Sequence, residues 1–158
     1  RDPERVVWIS QTTLSVDETM ETVGRLRQRF PALIDPPSDD ICYATQNRQE
    51  AVRILAEEAQ VVLVIGSQNS SNSQRLKEIG QELGIAGYLI DSPRDIHREW
   101  FQGNETVVVT AGASAPESLV QECVEFLQTN FSATVEVRVI RHEDVHFHLP
   151  RELRDLRL

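Results

Sequence analysis

Hydroxyl and amide side chains gather in three polar turns, each between an apolar run and a helical pattern. The segments read VVWIS-QTTLS, VVLVI-GSQNSSNS and TVVVT-AGASAP. Their donors are Thr12, Thr13, Ser70, Ser71, Asn72 and Ser114. In α/β sheets, ligands bind beyond the carboxyl ends of strands, where helix N-termini offer free N–H groups and a positive dipole end. Such a set suits an anion, a phosphate above all, held by neutral donors. Lys77, one turn into its helix, is the lysine of these turns, and neither G-x-x-x-x-G-K-[ST] nor G-x-G-x-x-G occurs. The same residue types are ordinary N-caps and turn formers, so one turn alone reads as capping. A binding site requires that the three turns converge in space.

The thiols and imidazoles come next. Cys42 lies in DDICYAT, just before a helical pattern. A helix N-terminus favours the thiolate, which is a nucleophile or a metal ligand; a small buried hydrophobe is the equal alternative. Cys123 sits among Leu119, Val120, Val124 and Leu127 and reads as core. His142, His146 and His148 look like a metal cluster, but without matching cysteine or carboxylate spacing they read as a solvated strand. His97, in a charged short helix, reads as surface.

Composition narrows the class. The chain has 158 residues, 16 Lys+Arg against 25 Asp+Glu, and a formal charge of −9. A duplex nucleic-acid binder ordinarily carries a basic surplus, so no nucleic-acid partner is expected. Two cysteines exclude a disulfide-rich scaffold and a self-contained four-thiolate site. No run of about eighteen apolar residues is present, so no membrane partner is expected. The N-terminus lacks a signal-peptide pattern, and a reduced, cytoplasmic setting is the default expectation. The first apolar run follows Arg1 almost at once, as if cut from a longer chain.

The elements that must position these residues follow from periodicity. Strands are expected at Val6–Ile9, Val61–Ile65, Tyr88–Ile90, Thr106–Val109, Thr134–Ile140 and Val145–Leu149. A helix with Val16, Met20, Val23, Leu26 and Phe30 inward is opened by a Ser15/Glu18 capping box and stopped by Pro31. Further helices are expected over Thr45–Ala59, with Ala51, Val52, Leu55, Ala56 and Ala59 inward, and around Leu76, Ile79 and Leu83, ended by Gly84. A short one opens at Ser92-Pro93, and another covers Pro116–Gln128 under a Ser114/Glu117 capping box. The Pro-rich stretch Asp35–Asp39 is the best boundary. Alternating strands and helices make an α/β fold with a mainly parallel sheet.

Read together, SQTTLSVDET, DDICYATQNRQEAV, GSQNSSNSQRL and TAGASAPESLV resemble the 4-hydroxy-3-methylbut-2-enyl diphosphate reductases, the LytB/IspH-type enzymes. Order and spacing match the family's, and the likeness extends to Phe147–Leu153, being weakest between Asn130 and Val145. The resemblance implies parallel-sheet αβα domains within a three-domain cloverleaf. It implies reductive removal of a hydroxyl from an allylic diphosphate, giving isopentenyl and dimethylallyl diphosphates at the end of the non-mevalonate isoprenoid pathway. It implies a 4Fe-4S cluster on three cysteines, one per domain, with reduced ferredoxin or flavodoxin as electron donor. Cys42 matches the third cluster cysteine. Thr12 matches a threonine that helps the proton relay at the substrate hydroxyl. Ser70, Ser71, Asn72 and Ser114 match the diphosphate donors, and Thr13 supports its turn.

The family's other two cluster cysteines, its substrate-binding histidines and its catalytic glutamate have no counterpart here. Residues 1–37 are therefore expected to be the latter half of a middle domain, 38–130 a third domain, and 131–158 a C-terminal extension that packs toward a missing N-terminal portion. The chain alone is expected to be inactive. Two other readings stand beside this one. The first is a noncatalytic α/β module that binds a phosphorylated ligand or a separate N-terminal polypeptide. The second is a cysteine enzyme with Cys42 as nucleophile.

Overall fold

A computed structural model describes residues 5–36 and 40–142. Its centre is a parallel three-stranded sheet of β1 (Val61–Ile65), β2 (Ala86–Ile90) and β3 (Val107–Ala111), in the order β2-β1-β3. The four α-helices among the described residues are α1 (Val16–Arg29), α2 (Tyr43–Ala56), α3 (Ser71–Glu82) and α4 (Glu117–Phe131). Short 3-10 turns at Pro93–Asp95 and Arg98–Trp100 replace the single short helix expected after Ser92.

Strand β1 explains why its sequence is apolar throughout. All five of its residues are buried. Val62 and Val64 pack with Val52, Ala56, Leu76 and Ile79 of α2 and α3. Leu63 and Ile65 point the other way, toward Ile90, Cys123 and Leu127. Side chains of a strand alternate between faces, so a strand covered on both faces needs an unbroken apolar run. Each fully buried Val, Leu or Ile side chain contributes about 1.5–3 kcal/mol.

The sheet order creates a crevice. Ile65 pairs with Ile90 on one side and Ala111 on the other, so the three strands end level. The chain leaves β1 into α3 over one face of the sheet and leaves β3 into α4 over the opposite face. Adjacent strands whose helices diverge to opposite faces form the switch point at which open α/β sheets bind ligands.

Several expectations need correction. Val6–Ile9 makes one parallel bridge, Val7 with Ile34, rather than a strand; the next rung would need an N–H at Pro36, which has none. Thr134–Ile140 is not a strand. That segment runs beside α2 and is held by ion pairs, Arg138 to Glu58 at 3.8 Å and Arg141 to Glu50 at 3.0 Å, while Val135, Val137 and Val139 face solvent. Helix α2 begins two residues earlier than expected, which makes Cys42 its N-cap. The Ser114/Glu117 box does not form, because Pro116 takes the N-cap position of α4. The strand at Val145–Leu149, His146, His148 and Phe147–Leu153 lie outside the described residues. Among the described residues no helix is long and apolar enough to cross a membrane.

Candidate functional site

The turns after β1 and β3 meet around one side chain. Gly66 follows β1 and Gly112 follows β3, and Gly112 donates its N–H to the Ile65 carbonyl at 2.8 Å. A Cβ at either glycine would overlap the Ser73 hydroxyl, which is fully buried between them. Glycine is required at both positions for this close approach. The turn that carries Ser114 is thereby seated against the first turn of α3, the turn that carries Ser71 and Asn72.

That first turn is rigidly held. Ser70 caps α3, its Oγ accepting the Ser73 N–H at 3.3 Å. Gln68 donates Nε2 to the Leu89 carbonyl at 2.7 Å, and Gln74 donates Nε2 to the Gln68 carbonyl at 2.9 Å. Capping uses only an acceptor lone pair of Ser70, so its O–H remains available to donate. Capping and binding are compatible uses of the same serine.

Four of the described residues bury a side-chain polar atom without a partner, Ser10, Asn72, Ser73 and Arg75, and among them Asn72 is the one with two such atoms. It is 4% exposed, and neither Oδ1 nor Nδ2 has a partner. A buried polar group left unpaired costs about 1–3 kcal/mol, so native structures rarely keep one without reason. Helices α2 and α3 carry no acidic residue in their first turns. Their N-terminal dipoles are therefore uncompensated in a chain of net charge −9. Arg75, by contrast, is not offered to an anion. Burial opposes its charge, but hydrogen bonding to Glu82 and the nearby Glu18 and Glu78 push its pKa up. Those carboxylates already occupy the guanidinium, Glu82 at 2.7 Å, Glu78 at 3.5 Å and Glu18 at 3.7 Å.

The third turn joins from α1. Thr12 gives its carbonyl to the Cys42 N–H at 3.1 Å, tying the SQTTLS turn to the start of α2. Ser10 donates its N–H to Asp40 Oδ2 at 2.6 Å. Ser15 caps α1 by accepting the Glu18 N–H at 3.3 Å, but the Glu18 carboxylate faces Arg75. A cleft of about 340 Å³ runs between this turn and α3, lined by Thr13, Ser15, Gln68, Ser71 and Arg75 among others. Thr12, Ser71 and Ser114 are exposed, and Ser70 is half-buried. Of the candidate donors, Thr13 and Ser71 line this cleft beside Glu18 and Glu78, whereas Ser114 is tied to α3 through Gly112 and Thr12 to α2 through Cys42.

The two thiols part company. Cys42 is free and exposed at the N-cap of α2, and its side chain makes no capping hydrogen bond. Cys123 is fully buried under the sheet. Burial above all, with the Glu122 and Asp95 charges adding, pushes its thiol from 9.0 up to about 11. At pH 8 a disulfide reagent should modify one thiol of the native chain, Cys42, and reach Cys123 only after unfolding. Mass-spectrometric mapping of the labelled peptide checks this. Raising the pH through the window from 9.0 to about 11 ionises Cys123 in the unfolded chain before the folded one, so stability is lost there. His97 is exposed and meets Trp100 edge-on at 4.9 Å, as a surface residue would. Among the described residues no group of three or more His, Cys, Asp or Glu is placed to hold a metal ion.

Two kinds of residue escaped the sequence reading. Gln49 is 2% exposed and bonds to the α1 turn at both ends of its amide. The inward stripe of α2 is Thr45, Gln49, Val52 and Ala56, not the aliphatic set alone. Its 4-3-4 spacing marks Gln49 as a polar side chain turned inward, which was readable. The Gly66–Ser73–Gly112 wedge left no such signal, because its members come from separate elements.

The chain and its fold are similar to those of known proteins. The model of a family described as LytB protein matches residues 1–128. The chain is 54% identical over 150 residues to a 4-hydroxy-3-methylbut-2-enyl diphosphate reductase from Rhodopirellula baltica, covering 95% of this chain and 47% of that protein. It is 57% identical over 155 residues to the reductase from Leifsonia xyli, covering 98% of this chain and 46% of that one. Its fold is similar to a solved E-1-hydroxy-2-methyl-but-2-enyl-4-diphosphate reductase from Plasmodium falciparum, with a TM-score of 0.85 at 29% identity over 94% of this chain and 47% of the other. The chain spans about half the length of the curated relatives it matches. With a family match across most of its residues, a parallel α/β fold shared with a solved reductase and all four sequence motifs in place, the chain belongs to the LytB protein family.

Proposed function

We propose that this chain supplies the diphosphate-binding side of a reductase that removes the hydroxyl of 4-hydroxy-3-methylbut-2-enyl diphosphate, giving isopentenyl and dimethylallyl diphosphates. The observation that carries this reading is Asn72, whose buried amide has two unpartnered ends at the sheet's switch point. The relatives' names support the substrate. A diphosphate needs many directed donors. Ser70, Ser71, Asn72 and Ser114, with the N-terminal amides of α3, supply them without a lysine in contact.

Cys42 fits a metal-bound group, because its thiol is exposed and unclaimed at a helix N-terminus. It would hold one iron of a 4Fe-4S cluster, and the remaining thiolates would come from outside this chain, whose other cysteine, Cys123, is buried. When bound, the cluster supplies electrons and a Lewis-acidic iron for C–O cleavage. Replacing C–OH by C–H and releasing water consumes two electrons and two protons, and reduced ferredoxin or flavodoxin is the electron donor in this reading. The departing hydroxyl needs a proton at its oxygen. In this reading Thr12 passes one, since a hydroxyl accepts and donates at once; the backbone bond between its turn and Cys42 supports the role. The donors on α3 orient the substrate's other end and fix the hydroxyl relative to Thr12.

The test is anaerobic iron–sulfur reconstitution of this chain beside a full-length protein that carries it, each assayed with a chemical reductant and the allylic diphosphate. The full-length protein should turn over and this chain should not. Absence of turnover in a full-length protein with its iron in place would refute the proposal.

A further inference from the structure

Gln49 joins the parts of the site that must stay in register. Its Nε2 donates to the Leu14 carbonyl at 3.0 Å, and its Oε1 accepts the Val16 N–H at 3.3 Å. Both partners lie more than thirty residues away in sequence and flank Ser15, the N-cap of α1. Gln49 itself lies on α2, the helix that Cys42 caps, and the Cys42 N–H holds the Thr12 carbonyl. The turn that carries Thr12 and Thr13 is thus fastened to α2 at two levels, one beside Cys42 and one about two helical turns further on. Ser10 N–H adds a tie to Asp40 beside the first level, and the exposed Arg53–Asp17 ion pair joins α2 to α1 beyond the second, so the Gln49 amide is the buried fastening of the turn's far end. Two bonds separated along a helix fix both its distance and its tilt.

The Gln49 amide suits this task. It is 2% exposed, so water does not compete for its bonds. It offers a donor and an acceptor at fixed separation, which matches a carbonyl and an N–H on either side of a helix cap. An apolar residue on the same stripe would pack equally well but would leave Leu14 O and Val16 N without partners. Both bonds are partly buried, so water replaces them only in part when they are lost.

We infer that Gln49 is a positioning residue that sets the Thr12–Thr13 turn against Cys42. The inference rests on the proposed function only for its consequence in turnover; the fastening itself belongs to this chain. Gln49 touches no reacting group in this account, and it acts through the turn.

The test has two arms. In this chain, Gln49→Met keeps the length and volume of the side chain and removes both bonds. Amide hydrogen exchange read by NMR should quicken at Val16 and Cys42 by about tenfold or more, with Val62–Val64 unchanged. Gln49→Glu keeps an acceptor for Val16 N–H and should restore at least part of that protection. If Gln49→Met loses protection in the strands as well, Gln49→Glu alone decides, by whether Val16 and Cys42 exchange faster than in the parent. In a full-length reductase, Gln49→Met should lower kcat about 10- to 100-fold, the scale of a slightly misplaced reacting group. KM and iron content should stay at the parent's values, because the diphosphate donors and Cys42 are intact. Unchanged exchange at Val16 and Cys42 in a folded variant overturns the inference. So does a rise in KM at constant kcat, or an unchanged kcat in a reductase whose parent is active. A parent that holds iron but does not turn over refutes the proposed function instead, and the exchange arm then judges the fastening by itself.

Discussion

Cys42→Ser in a full-length reductase carrying this sequence should abolish both iron binding and turnover. A serine hydroxyl is a hard, weakly acidic ligand, whereas iron–sulfur clusters are held by thiolates. Among the described residues no group of three or more His, Cys, Asp or Glu is placed to hold a metal ion in its stead. The fold should survive, because Cys42 is exposed and its side chain caps nothing. Iron content and the visible absorbance after anaerobic reconstitution report the first loss, and product formation the second. Circular dichroism of the variant separates both from misfolding. Retained iron and activity would remove Cys42 from the centre.

Asn72→Ala should act on the other end of the substrate. The buried amide has no partner within the protein, so its removal breaks no internal bond and takes an unpaired polar group out of the interior. Thermal stability of the free protein should therefore hold or rise. Binding should suffer, because one unmade hydrogen bond to a charged group costs about 1–3 kcal/mol. That corresponds to a KM for the diphosphate raised about 5- to 150-fold. Steady-state kinetics on a full-length enzyme, together with a thermal melt, gives both numbers. A destabilised variant with unchanged KM would assign Asn72 to the fold rather than to the ligand. Opposite directions for stability and affinity are what distinguish a binding residue from a packing one.

The parts legible in the sequence were those governed by local chemistry. The unbroken VVLVI run announced a strand covered on both faces, and β1 occupies those same residues. Ser15 announced a helix start and accepts an N–H three residues on, while Ser70, read as a turn donor, is a helix cap as well. Cys123 on an aliphatic helix face announced core, and it is fully buried. What failed depended on distant partners. Val6–Ile9 and Thr134–Ile140 have strand-like patterns, but a pattern cannot say whether a neighbouring edge exists. The Ser114/Glu117 box lost to Pro116, whose fixed φ fits the helix boundary and leaves the Ser114 hydroxyl uncommitted.

The site was legible as donor types but not as geometry. The turns are tied to their neighbours by contacts that no local pattern encodes. Ser73 sits between two strand-end glycines, and Thr12 and Gln49 bridge thirty residues of sequence or more. The unpaired state of Asn72 could not be read from its type, because asparagine at the start of a helix is ordinarily satisfied by backbone.

The central claim is that the turns after β1 and β3 form a diphosphate cradle of neutral donors. Titration of this chain with inorganic pyrophosphate, followed by amide NMR, tests it most directly. The account predicts saturable shifts centred on Ser70–Ser73 and Gly112–Ala115, with half-saturation at about 1–10 mM for a partial site, weakened by Asn72→Ala. Shifts confined to exposed arginines such as Arg138 and Arg141, or none that saturate, would contradict it.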